Sequence, residues 1–109
     1  MPRLDFYVNY ELQATVRLDE GSVQIGRDPN CAICMPDPRV SRVHAVIEAG
    51  DGGHEIENRG TNGTKVNGRV IEKPHLLKAG DAVFISRYIL IYQPDDAPVA
   101  ENASTVLQP

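Results

Sequence analysis

No run of apolar residues in this chain is long enough to cross a bilayer, since a transmembrane helix needs about 20 in succession. The first residues, Met1-Pro2-Arg3-Leu4-Asp5, lack the apolar core of a secretory signal. Together these absences make a cytoplasmic protein the expectation, so the sequons Asn62-Gly63-Thr64 and Asn102-Ala103-Ser104 carry no meaning for glycosylation. A basic excess is also missing. Lysine and arginine number 11 against 15 aspartate and glutamate, for a formal net charge of -4. General nucleic-acid binders rely on the opposite balance to neutralise phosphates. Cysteine is scarce, with two in 109 residues. A chain of this length is one compact domain that buries over half of its unfolded surface, so neither disulfide nor metal is needed to fold it. Helical periodicity is absent too: no window sustains apolar residues at i, i+3, i+4 and i+7.

What is present is strand-like. Leu4 to Val8, Ala14 to Leu18 and Ser22 to Ile25 alternate or carry β-branched and aromatic residues. Val43 to Glu48 and His54 to Asn58 flank the hairpin signal Ala49-Gly50-Asp51-Gly52-Gly53. Short strands are expected near Lys65-Val66, Val70-Ile71, Ala82 to Ile85 and Ile89 to Tyr92. Short strands parted by glycine and proline turns predict an all-β fold, a two-sheet β-sandwich of about eleven short strands. From Pro94 the composition shifts to Asp95, Asp96, Pro98, Glu101 and Asn102. Residues 1–93 therefore read as the domain and 94–109 as a flexible acidic tail or the start of a linker.

Between the strands sit three polar loops: Gly26-Arg27, then Ser41-Arg42-Val43-His44, then Thr61-Asn62-Gly63-Thr64. Asn67-Gly68 and Leu77-Lys78-Ala79-Gly80-Asp81 follow. If the loops meet, their guanidinium, hydroxyl and amide groups form a cationic, donor-rich cup suited to a phosphate group. Nothing else in the chain reads as machinery for making or breaking a bond. Arg39, Arg59, Lys65 and Arg69 add positive charge to the same region.

The order Gly-Arg, Ser-x-x-His, Asn-Gly-Thr, Asn-Gly and Leu-x-x-Gly-Asp resembles the forkhead-associated (FHA) domain, a phosphothreonine-binding module, over roughly residues 4–93. Each piece alone is weak, as Asn-Gly is a common turn dipeptide; the five in order are specific. The resemblance implies a non-enzymatic sandwich with its binding loops at one end and no cofactor. It further implies that Arg27, Ser41 and Arg42 hold the phosphate, that Thr61 and Asn62 hold the peptide, and that a small pocket for the threonine methyl favours phosphothreonine over phosphoserine. Gly26, His44, Gly63 and Asn67 are then structural support. Arg39, two residues before Ser41, becomes a candidate for selecting an acidic peptide residue three places after the phosphothreonine. Gly60 and Lys65 depart from the family, which often has serine and an aromatic there; Gly60 is expected to loosen its loop and Lys65 to add charge near the ligand.

Two other readings come from the residues themselves. Ser41 and His44 invite a nucleophile–base pair, but residues three apart on a strand face opposite ways, and no carboxylate in the sequence obviously orients the ring. Cys31-Ala32-Ile33-Cys34 matches a redox dithiol or half a zinc site. It leads into Met35-Pro36-Asp37-Pro38 rather than a helix, so alternating residues of a short strand are the expectation. The partner implied is a phosphothreonine protein, a Ser/Thr kinase or its substrate, with no nucleic acid and no membrane. Thr105 in the tail is a candidate intramolecular ligand once phosphorylated, about a dozen residues beyond the domain at ~3.3–3.6 Å per residue. The alternatives are a phosphate-independent scaffold or oligomerisation domain and, further off, a thiol-redox or metal-binding protein.

Overall fold

A computed structural model describes residues 2–19 and 21–94; the acidic tail from residue 95 on, with Thr105, lies outside the described residues. Eleven strands are present among those described and no helix, so none is long and apolar enough to cross a membrane. One sheet has six strands in the order β2 (Glu11–Arg17), β1 (Arg3–Val8), β11 (Tyr88–Gln93), β10 (Ala82–Ile85), β7 (Lys65–Val66) and β8 (Arg69–Val70). The other has five: β4 (Ile33–Cys34), β3 (Ser22–Gly26), β5 (Ala45–Gly50), β6 (Gly53–Asn58) and β9 (His75–Leu76). Apart from the parallel β3–β4 pair, the registered pairs are antiparallel.

The alternation along the strands places the core. Leu4, Ile25, Ile47, Ile56, Val83 and Leu90 point between the sheets and are fully buried, each such side chain contributing about 1.5–3 kcal/mol. A smaller apolar cluster of Tyr7, Ala82, Ile89 and Ile91 lies on the opposite face of the six-stranded sheet, with Leu12 and Phe84 packed against it. Both faces of β11 are therefore apolar, which explains its unbroken run Tyr88-Ile89-Leu90-Ile91-Tyr92.

Strand boundaries differ from the sequence expectation where pairing overrides propensity. The second strand begins at Glu11 rather than Ala14, because Asn9 and Tyr10 both adopt positive φ (50° and 69°) and turn β1 straight into β2. The fifth starts at Ala45 because His44 is drawn into the loop network below. β9 had no sequence signal: two residues after Pro74 pair with Glu55 and Ile56. Asn67-Gly68 is the expected turn, with φ values of 52° and 86° closing β7 onto β8 in the manner of a type I′ hairpin. Asn67 also donates to Asp81 (2.9 Å) and accepts from the Ala82 amide (2.9 Å), so it fastens the turn to β10.

Candidate functional site

Gly26 ends β3 against the backbone of the Ser41 loop, where a Cβ would overlap the Arg42 carbonyl. Only a bare backbone fits there, and the fit lets two ladder-like bonds form. Arg27 N–H donates to the Ser41 carbonyl (3.0 Å) and Asp28 N–H to the Arg42 carbonyl (3.2 Å). The Arg27 side chain then uses Nε to hold the Val40 carbonyl at 3.0 Å. One end of the guanidinium is thus fixed, while the Nη groups have no protein partner among the described residues. Arg27 and Arg42, both exposed, line one small cleft of about 310 Å³ with Asp28 and Pro29.

The Ser41 loop is joined in turn to the loop after β6. Thr61 N–H donates to the Ser41 hydroxyl oxygen (3.1 Å), which leaves the hydroxyl proton free to donate elsewhere. Asn62 Nδ2 donates to the Arg39 carbonyl (2.8 Å), leaving its side-chain oxygen and a second N–H available. Direct hydrogen bonds therefore connect Arg27 to Ser41 and Ser41 to Thr61 at one end of the sandwich, Asn62 joins the same loop through the Arg39 carbonyl, and Arg42 borders the same surface.

His44 lies beneath them. Its Nδ1 accepts the Ser41 amide N–H (3.0 Å) and its Nε2 faces the Gly63 carbonyl at 2.7 Å. An amide can only donate and a carbonyl can only accept, so the ring is the neutral tautomer with its proton on Nε2. It meets the Ser41 backbone and not the hydroxyl, and it is 1% exposed, which is no arrangement for a general base. Gly63, at φ 82°, presents the carbonyl that completes the link.

Gly60 is not a loosening element. The His44 ring lies across the place a Cβ would take, with three ring atoms 2.5 Å from it. Asn58 clamps the Gly60 backbone from both sides, accepting from its amide and donating to its carbonyl (both 3.1 Å), and also takes the Thr64 hydroxyl at 2.8 Å. Asn58 was not singled out from the sequence, where a strand-end asparagine looks like an ordinary terminator.

Asp37 is the second residue the sequence did not announce. It is 3% exposed and accepts from the Arg39 amide (2.9 Å), from Arg39 Nε and Nη2 (3.2 and 3.1 Å) and from the Ser86 hydroxyl (3.0 Å), with Arg87 Nε at 3.8 Å. The Arg39 bonds foremost hold its carboxyl well below the usual carboxylate range, and Ser86 adds to them against the opposing effect of burial. Arg39 is therefore clamped on a carboxylate, though its side chain stays 67% exposed.

The two cysteines do not sit on alternate positions of one strand. Cys34 is in β4, whereas Cys31 lies in a turn closed by its amide on the Asp28 carbonyl (2.9 Å). Their thiols point to the Arg42 carbonyl (3.4 Å) and the Arg27 carbonyl (3.6 Å). Burial, helped by Asp28 and Cys34, pushes the Cys31 thiol up, the reverse of an activated nucleophile. Among the described residues no group of three histidine, cysteine or carboxylate side chains is placed to hold a metal.

Comparison with known proteins converges on one family. A family model described as an FHA domain matches residues 23–86. The chain is 37% identical over 95 residues to an ABC transporter ATP-binding/permease protein of Mycobacterium tuberculosis, covering 86% of this chain and 11% of that protein. It is 37% identical over 76 residues to an oxoglutarate dehydrogenase inhibitor of Corynebacterium diphtheriae, covering 69% of this chain and 52% of the relative. The chain thus spans a small part to about half of these relatives. Among solved structures it is similar to the MEK1 FHA domain in complex with a HOP1 phosphothreonine peptide, with TM-score 0.71 and 25% identity over 87% of this chain and 97% of that one.

Proposed function

This chain belongs to the FHA domain family, and from that premise we propose that it is a phosphothreonine-dependent protein-interaction module that docks onto partners marked by a Ser/Thr kinase. The observation that carries the reading is the continuous hydrogen-bonded link from Arg27 through Ser41 to Thr61. It holds three sequence-distant loops in one cup before any ligand arrives, so little ordering cost remains to oppose binding.

In this reading the two Nη groups of Arg27, the Ser41 hydroxyl and Arg42 hold the phosphate oxygens. A guanidinium anchored through Nε presents a planar donor pair, which suits bidentate contact. Asn62 offers its free amide oxygen and N–H to the main chain of an extended peptide, with Thr61 beside it. Gly26, His44, Gly63 and Asn67 act through the backbone they position. A few charge-assisted hydrogen bonds at about 1.5–3 kcal/mol each, less the ordering of the peptide, correspond to roughly micromolar affinity. That range lets a kinase and a phosphatase switch the contact.

In this reading the module binds and does not catalyse: among the described residues, His44 meets the Ser41 amide and not the hydroxyl that a nucleophile would use. We place it in the cytoplasm, where Ser/Thr kinases act and thiols such as Cys31 and Cys34 stay reduced. The test is amide NMR of the full chain titrated with a phosphothreonine peptide. Shifts are expected at Arg27-Asp28, Ser41-Arg42 and Thr61-Gly63. Shifts centred on the opposite end of the sandwich would overturn the assignment of the site.

A further inference from the structure

Cys31 and Cys34 carry chemistry that phosphopeptide binding does not use. Both thiols are free, and each is aimed at one of the two arginines that line the small cleft with Asp28 and Pro29. Cys31 Sγ donates to the Arg42 carbonyl (3.4 Å) and Cys34 Sγ to the Arg27 carbonyl (3.6 Å). The Asp28 amide shares the Arg42 carbonyl (3.2 Å), and the Cys31 amide closes its turn on the Asp28 carbonyl (2.9 Å). The turn from Asp28 to Cys31 is therefore one wall of the cleft, tied to the Arg42 wall in part through a thiol.

The two cysteines differ in how firmly they are held. Cys34 lies in β4, the edge strand of its sheet, between the buried Ile33 and Met35. Met35 N–H fixes the end of that strand on the Gly26 carbonyl (2.7 Å). Cys31 follows the exposed Pro29 and Asn30 and precedes the exposed Ala32, so its turn is the part with room to shift. The sulfurs share one neighbourhood, since Cys34 adds to the upward push on the Cys31 thiol. A disulfide places its sulfurs about 2.05 Å apart, so forming one requires both thiols to leave their carbonyls.

We propose that Cys31 and Cys34 are a reversible modification site: peroxide oxidises them to an internal disulfide, which draws the Asp28–Cys31 turn off Arg42 and weakens the phosphate cleft. Cys34 is half-buried and Cys31 7% exposed, so Cys34 meets the oxidant first. Its sulfur attacks one oxygen of hydrogen peroxide and the O–O bond breaks. Cys34 becomes a sulfenic acid, and the released hydroxide takes the thiol proton as water. The Cys31 sulfur then attacks the Cys34 sulfur: the S–S bond forms, the S–O bond breaks, and hydroxide leaves with the Cys31 proton as a second water. The two thiols lose two electrons and the peroxide gains them. A small dithiol reverses the change by exchange. This suits a slow sensor rather than an oxidoreductase, because the C-x-x-C run enters a strand instead of opening a helix. The effect on binding rests on the phosphopeptide reading above; the disulfide itself does not.

The test treats the full chain with hydrogen peroxide and follows intact mass, far-UV circular dichroism and the anisotropy of a labelled phosphothreonine peptide. Wild type, Cys31→Ser and Cys34→Ser are each compared with their own reduced form, so the serine variants also control for methionine oxidation. Wild type is expected to lose the mass of two hydrogens, keep its strand spectrum and bind the peptide about tenfold more weakly, the equivalent of one hydrogen bond. Dithiothreitol should restore its affinity, and both serine variants should keep a ratio near one. Oxidation that yields no internal disulfide, a disulfide that unfolds the chain, or one that leaves affinity unchanged or tighter would overturn the inference. So would an equal loss of binding in the serine variants. Failure of reduced wild type to bind any phosphothreonine peptide would instead overturn the phosphopeptide reading and with it the effect on binding, while the mass still decides whether the disulfide forms.

Discussion

Replacing His44 with alanine removes both supports of the recognition loops at once. The Ser41 amide loses its acceptor and the Gly63 carbonyl its donor. A buried polar group left unpaired costs about 1–3 kcal/mol, so the pair of losses amounts to roughly 2–6 kcal/mol, against a typical domain stability of about 5–15 kcal/mol. With a urea m-value of about 2 kcal/mol/M, the unfolding midpoint should fall by roughly 1–3 M. Gly60 supplies the internal check. A methyl there meets the His44 ring at 2.5 Å, so Gly60→Ala alone should cost about 1–3 kcal/mol through overpacking. In the His44→Ala background the same methyl enters vacated space, and its added cost should drop to about zero. Urea unfolding of wild type, both single variants and the double variant, followed by far-UV circular dichroism, measures this coupling. Additive costs, with a coupling below about 0.5 kcal/mol, would refute the stacking of the ring on Gly60. A His44→Ala cost below about 1 kcal/mol would refute the ring's role in holding Ser41.

Two further perturbations probe the frame. Burial pushes the Asp81 carboxyl up, but bonds from His75, the Lys78 amide and Asn67 outweigh it and hold the group below its ordinary value. A depressed carboxyl contributes stability that is present above its unfolded pKa, about 3.9, and is lost as pH falls through the lower folded value. The thermal midpoint should therefore drop with acidification below about pH 4, and Asp81→Asn should flatten that part of the curve; an unchanged slope would contradict the bonding pattern. Tyr10 sits at φ 69° and 51% exposed, so it bears the left-handed penalty with little packing in return. Tyr10→Gly should raise stability by about 0.5–1 kcal/mol, part of the 1–2 kcal/mol strain being offset by glycine's greater freedom when unfolded. A lower thermal midpoint in Tyr10→Gly would show that the ring's contacts outweigh the strain.

Much of this fold was legible because its determinants are local. Asn67-Gly68 needs only its own φ angles to make a hairpin, and the alternation of residues 22–25 and 82–85 needs only the pleat. The family pattern reached further, giving the arrangement of loops around Arg27, Ser41 and Asn62 that the hydrogen bonds now describe. What stayed hidden depends on partners far along the chain. Asp37 matters because Ser86, 49 residues away, lies against it, and no local spacing encodes that contact. Arg39 looked like a free cation for a different reason: its clamp on Asp37 is only two residues off in sequence but depends on how the loop folds. Gly60 read as slack because the ring that covers it belongs to His44, on another loop. The positive φ of Tyr10 opposes its own side chain's preference and is imposed by the β1–β2 pairing.

The central claim is that phosphate on threonine is what the Arg27–Ser41–Arg42 cup binds. The most direct measurement is calorimetry of the full chain with matched threonine, phosphoserine and phosphothreonine peptides, for wild type and Arg27→Ala. The expected result is roughly micromolar binding of the phosphothreonine peptide only, weakened about 10- to 100-fold in Arg27→Ala by loss of a charge-assisted contact. Binding that ignores the phosphate, or that Arg27→Ala leaves unchanged, would contradict it and point to a phosphate-independent scaffold.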